Sequence, residues 1–132
     1  MATVTTTTER QAIEQTIQLY IDGASKGEPE KLKEAFHDTA WMLGSVSGQR
    51  FDMPIARMIE TVTAQPLDSD GSFRAQITAV EQVGDAARVT LEEDGCWGNL
   101  SFVDFFTLAK IDGAWKIVNK LFAHTGGEMP AG

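Results

Sequence analysis

A change in hydrophobic period along this chain of 132 residues predicts an α+β fold. Before Pro66, three stretches place apolar residues at helical spacing; from Phe73 onward apolar and polar residues alternate, as in half-buried strands. Asp112-Gly113 then sits between two apolar runs, and this is the preferred pair for a two-residue hairpin turn, in which both positions need positive φ. Helices followed by an antiparallel meander predict a cone-shaped α+β barrel: three N-terminal helices packed on a curved, mainly antiparallel sheet.

The elements follow in order. Thr8-Glu9-Arg10-Gln11 reads as a capping box, and Ile13, Ile17, Tyr20, Ile21 and Ala24 form the apolar stripe of a first helix that Gly27 stops. Pro29 suits the first turn of a short second helix with Leu32, Ala35 and Phe36 inward. "WMLGSVSGQRF" reads as one or two short strands broken by Gly44 and Gly48. Pro54 opens a third helix with Ile55, Met58, Ile59 and Val62 as its stripe, and Pro66 ends it. In the meander, a two-residue turn at Gly84-Asp85 would set Ile77 across from Glu92 and mix the faces, so a bulge or a longer loop is expected. "SFVDFFTLAKI" is apolar on both faces, the pattern of a strand buried on each side. No repeat or linker divides the chain, which is read as one domain over 1–132 with a flexible leader at 1–8 and a flexible tail at 125–132.

Bulk properties narrow the function classes. A net charge of −8 with eleven scattered Lys and Arg disfavours nucleic acid and anionic membrane surfaces. "MATVTTTTER" lacks the basic and apolar regions of a secretory signal, no apolar run is long enough to span a bilayer, and the single Cys96 has no disulfide partner. The expected location is cytoplasmic. Two distant histidines without carboxylates at ligand spacing give no metal site, and there is no phosphate loop or nucleophile elbow. No metal and no cofactor are expected.

Candidate site residues come from the last hairpin. With a two-residue turn at Asp112-Gly113, Phe106 lies opposite Asn119 and Asp104 opposite Leu121, so Phe102, Asp104 and Phe106 share a face with Trp115, Ile117 and Asn119. A one-residue bulge would bring Lys120 in place of Asn119. Asp104 stands mid-strand among aromatics, where a carboxylate is costly unless paired or protonated and where its pKa rises. His37, after the second helix, is a candidate acid–base group. Tyr20 and Trp41 are candidate walls with a polar tip.

"YIDGASKGEPEKLKEAFHDTAWMLG" and "FVDFFTLAKIDGAWKIVNKLF", with a Pro-started helix between them, resemble the nuclear transport factor 2-like superfamily, and within it the bacterial branch labelled putative lumazine-binding. The resemblance runs from about Glu9 to His124. It implies a cone of three helices wrapped by a curved sheet, and a homodimer formed through sheet surfaces. The superfamily includes ketosteroid isomerase, scytalone dehydratase, polyketide cyclases and non-enzymatic binders, so fold does not give function. Asp104 resembles the protonated Asp of ketosteroid isomerase, allowing a one-residue gap, and His37 lies near the place of that enzyme's base. Tyr20 is a loose counterpart of its helix-one tyrosine, and no complete triad carries over.

The expectation is a binder of a small-molecule ligand held between sheet and helices. Tyr20, Trp41, Phe102, Phe106 and Trp115 would form its walls, with Asp104 and Asn119 or Lys120 as polar anchors. The alternative is a cofactor-independent lyase or isomerase using Asp104 and His37.

Overall fold

The computed structural model describes the backbone of residues 2–128 and the side chains of residues 9–128. Helix α1 spans Ala2–Lys26, α2 Pro29–Ala35 and α3 Ile55–Ala64. The strands are β1 (Phe36–Val46), β2 (Gln49–Arg50), β3 (Met53–Pro54), β4 (Arg74–Val83), β5 (Ala86–Cys96), β6 (Leu100–Ile111) and β7 (Ala114–Gly126). They form one mixed seven-stranded sheet in the order β2-β1-β7-β6-β5-β4, with β3 paired to β1. β1 and β7 run parallel; the other ladders are antiparallel. Among the described residues no helix is long and apolar enough to cross a membrane.

The helices form where the apolar stripes place them. Ile13, Ile17, Tyr20 and Ala24 of α1, Leu32 and Ala35 of α2, and Ile55, Met58, Ile59 and Val62 of α3 are all buried. Gly27, at φ +70°, stops the first α-helix. Helix α1 begins at Ala2, upstream of the capping box read at Thr8, whose side chain lies outside the described residues. The ladder to β6 carries β7 on to Gly126, through Ser101↔Gly126, into the stretch expected as tail.

Both hairpins explain their own registers. Asp112 and Gly113 have φ of +51° and +82°, as a two-residue turn with two left-handed positions requires. The Gly84-Asp85 turn is also two residues long, and the register shifts at Thr78, so Ile77 faces Leu91 rather than Glu92.

A second shift, at Val118, decides the site. From Ile111↔Ala114 to Leu108↔Ile117 the β6–β7 pairing runs as the turn dictates; beyond it Thr107 pairs with Asn119, Phe106 with Lys120 and Asp104 with Phe122. The simple two-residue register, which put Asn119 and Leu121 on the Asp104 face, is therefore corrected. Lys120 and Phe122 occupy that face, and Asn119 and Leu121 turn to the other.

The helices cover only one face of the sheet, which corrects two further expectations. β6 is not buried on both sides: Leu100, Phe102, Asp104, Phe106 and Leu108 are buried, whereas Phe105 is 50% exposed. Trp41 is 48% exposed, because Ala40 and Met42, its neighbours in an alternating strand, take the inner face of β1.

Candidate functional site

The inner face of the sheet is packed solid at one end and hollow at the other. At the packed end the Tyr20 ring meets Phe106 edge-on with centroids 5.0 Å apart and Phe36 at 6.0 Å. Phe106 and Trp115 belong to this packing: both are buried, and neither lines the hollow. Beyond Tyr20 opens a cavity of about 920 Å³. Its apolar wall includes Met42, Met58, Val62, Leu100, Phe102 and Phe122. At the mouth, the Trp97 backbone N–H donates to Leu67 O (2.7 Å) and its indole Nε1 to Gln65 O (2.9 Å), tying the turn after β5 to the loop after α3.

The polar groups of this cavity are concentrated beside Tyr20. Glu93 of β5 and Lys120 of β7 line it, and Asp104 of β6 lies beside both, wholly buried. The ladders place them diagonally on one face. Asp104 pairs with Leu91 and Phe122, Glu93 pairs with Phe102, and Lys120 with Phe106, so Asp104 has Glu93 on one flank and Lys120 on the other. Tyr20 comes down from α1 onto this group, its hydroxyl facing Glu93 and its ring 4.9 Å below the Lys120 Nζ.

Two carboxyls this close in an apolar interior cannot both ionise. Burial first, then the charge of Asp104 and a hydrogen bond between the two carboxyls, hold Glu93 well above the ordinary carboxylate range. Among the described residues both Asp104 oxygens and Glu93 Oε2 are buried without a donor, a situation resolved when one acid carries a proton and donates it to the other. Glu93 therefore keeps its proton to a higher pH than an ordinary carboxyl does. Burial, followed by the charges of Glu93 and Asp104, also raises the Tyr20 phenol. The Cys96 thiol, which lines the cavity too, is pushed up by burial and then by Glu93, so it is no thiolate nucleophile near neutral pH.

Lys120 is 7% exposed. Its Nζ donates to Met42 Sδ at 3.7 Å and sits 5.6 Å from the Phe122 ring centroid. Among the described residues no carboxylate oxygen comes within 4.0 Å of it. A thioether and two ring faces are weak partners for an ammonium with three N–H groups, which leaves donor capacity aimed into the cavity.

The structure brings together only some of the residues singled out from sequence. Tyr20, Phe102 and Lys120 line the cavity, and Asp104 stands behind it. Asn119 and Trp41 sit side by side on the outer face, joined by the β1–β7 register. His37 lies on neither side of the cavity: its Nδ1 is 2.7 Å from Thr39 Oγ1, and it borders a separate depression between α2 and α3 with Lys33, Asp38 and Glu60. Glu93 was missed, although Ala87, Val89 and Leu91 alternate toward it and put it on the inner face.

Comparison with known proteins agrees with this architecture. Residues 8–123 match the family described as putative lumazine-binding. The chain belongs to that family. It is 27% identical over 122 residues to the aldolase FrzH of Cladobotryum sp., covering 92% of this chain and 96% of that protein. Among solved structures, an NTF2-like protein from Methylobacillus flagellatus is 30% identical over 89% of this chain and 92% of its own, with a TM-score of 0.80. One from Shewanella baltica is 25% identical over 95% and 97%, again with a TM-score of 0.80.

Proposed function

We propose that this member of the lumazine-binding-like family holds a small, neutral, largely apolar compound with a carbonyl group, its oxygen directed at Lys120 and its body against Met58, Val62 and Phe102. One observation carries this reading: the Lys120 Nζ, buried at the cavity wall, has a thioether and two ring faces as its close partners among the described residues. A carbonyl oxygen takes up the unused Lys120 donor, whereas an anionic ligand would add charge beside two buried acids, Glu93 and Asp104. The volume lies within the range of small-molecule sites.

A second reading is supported by the aldolase relative and by the acid pair. A bound carbonyl compound would be activated for proton transfer or carbon–carbon bond chemistry beside it, with Glu93 as the proton-carrying group and Asp104 positioning it. This replaces the pairing of Asp104 with His37.

The test is a thermal-shift comparison of neutral ketones with carboxylates and pteridines of similar size. Neutral ketones are expected to raise the melting temperature and to lose that effect when Val62→Phe narrows the cavity. Preferential stabilisation by carboxylates would overturn the proposal.

The outer sheet face supports a second association. Phe105 pairs with Leu121, Leu121 with the half-buried Leu43, and Trp41 lies two residues along β1, which makes an apolar strip with Trp41, Phe105 and Leu121 exposed. Such a strip is suited to a second copy of the chain forming a homodimer through the sheet.

A further inference from the structure

We propose that Lys120 is a covalent carbonyl-capturing residue, forming an iminium with a neutral aldehyde or ketone bound in the cavity. The inference rests on the carbonyl-binding reading above and goes beyond it by assigning a bond-forming role to one atom, Nζ.

Three features carry it. The amine lines a cavity large enough for an organic carbonyl compound and is more than nine-tenths buried. Among the described residues it makes no ion pair within 4.0 Å, and its close polar contact there, Met42 Sδ, is a weak acceptor that a reacting lysine leaves at little cost. The diagonal Glu93–Asp104 pair supplies both a proton acceptor and a proton donor within one cluster. A carbonyl carbon attacked by an amine needs all three.

The steps balance. Lys120 as ammonium gives one proton to the acid pair through a bridging water, since no carboxylate oxygen lies within 4.0 Å among the described residues, and the amine becomes neutral while the pair gains that proton. The Nζ lone pair forms the C–N bond, the C=O π pair moves to oxygen, and the proton on nitrogen reaches that oxygen through the pair, giving a neutral carbinolamine. One pair proton then converts the hydroxyl to water, which leaves as the nitrogen lone pair forms C=N. The sum is ammonium plus carbonyl to iminium plus water, with no oxidant or reductant. The iminium carries the same single positive charge as the ammonium it replaces. The pair ends with as many protons as it began with, so the net charge of the buried cluster is unchanged. Lys120 sits beside the Tyr20 ring face, which favours a cation in either form.

The experiment uses the whole chain with cyclohexanone, 2-octanone and cinnamaldehyde, each with sodium cyanoborohydride, which reduces an iminium to a stable amine. Intact mass and peptide mapping then read the adduct. Five other lysines, at 26, 31, 33, 110 and 116, serve as internal controls. The expected result is a single adduct on Lys120, formed at least tenfold faster than on any other lysine. It should be absent in Lys120→Arg, which keeps the charge, and slowed tenfold or more in Glu93→Gln, whose folding is checked by circular dichroism. Labelling spread evenly over the surface lysines overturns the proposal. If ketones raise the melting temperature without reductant and Lys120 stays unmodified, covalent capture falls and the binding reading stands. If neither a thermal shift nor an adduct appears, both fall.

Discussion

Glu93→Gln is expected to stabilise the protein at neutral pH and to leave it nearly unchanged near pH 4. Folding raises the Glu93 pKa, through burial and the Asp104 charge, so the native state binds a proton over a range where the unfolded chain has released it. Stability depends on pH as the protons held by the unfolded chain minus those held by the native one. For a raised acid that difference is negative, so stability falls as pH rises past the unfolded-state value, roughly 4.3, and goes on falling until the folded pKa is passed. Within the window the slope reaches about 1.4 kcal/mol per pH unit, or roughly 3–6 °C in melting temperature for a domain of this size. A glutamine offers Asp104 the N–H that neutral Glu93 offers as O–H, but has no proton to lose. The surface acids Asp52, Asp70 and Glu81, held low mainly by hydrogen bonds to Arg50, Ser72 and Arg88, act in the opposite sense, losing their contribution as pH falls. They are present in both proteins and cancel in the difference. Urea titrations of wild type and variant from pH 4 to 8 measure that difference directly. A constant offset across the range would refute a Glu93 carboxyl whose pKa is raised by folding.

Three other perturbations test neighbouring parts of the argument. Replacing the whole buried group, with Glu93→Leu, Asp104→Leu and Lys120→Met together, is expected to stabilise the fold by about 1–4 kcal/mol in urea melts while abolishing ketone-induced thermal shifts. Phe105→Glu with Leu121→Lys should give a monomer by sedimentation velocity, with the circular dichroism spectrum unchanged, if the outer face joins two copies. Gly44→Ala should destabilise by about 1–3 kcal/mol, because the added methyl would lie 2.5 Å from the Phe122 ring, and that ring is also a cavity wall.

Much of this fold was legible because its signals are local. Pro29, Pro54 and Pro66 punctuate helices whether or not the sheet exists, and Asp112-Gly113 sets its own turn. The site was less legible, because one irregular residue far from any turn controls it. Val118 has no distinguishing chemistry, yet the bulge there exchanges Asn119 for Lys120 inside the cavity. Which face the helices would cover was equally invisible at Trp41 and Phe105, since an aromatic side chain suits an inner wall and an association surface alike. Glu93 was different: its position followed from the alternation through Leu91, and its acidity argued against an inward place until a partner acid was known.

The parallel ladder between β1 and β7 has a consequence for synthesis. As the chain emerges from the ribosome, Phe36–Val46 appears early, but the strand it pairs with most extensively, Ala114–Gly126, comes some seventy residues later. Through that interval one long edge of β1 has no mate, and Trp41 and Met42 stand on an open strand prone to pairing with other chains. Because Lys120 arrives with that same late strand, the reactive amine enters the molecule only at the step that closes the sheet.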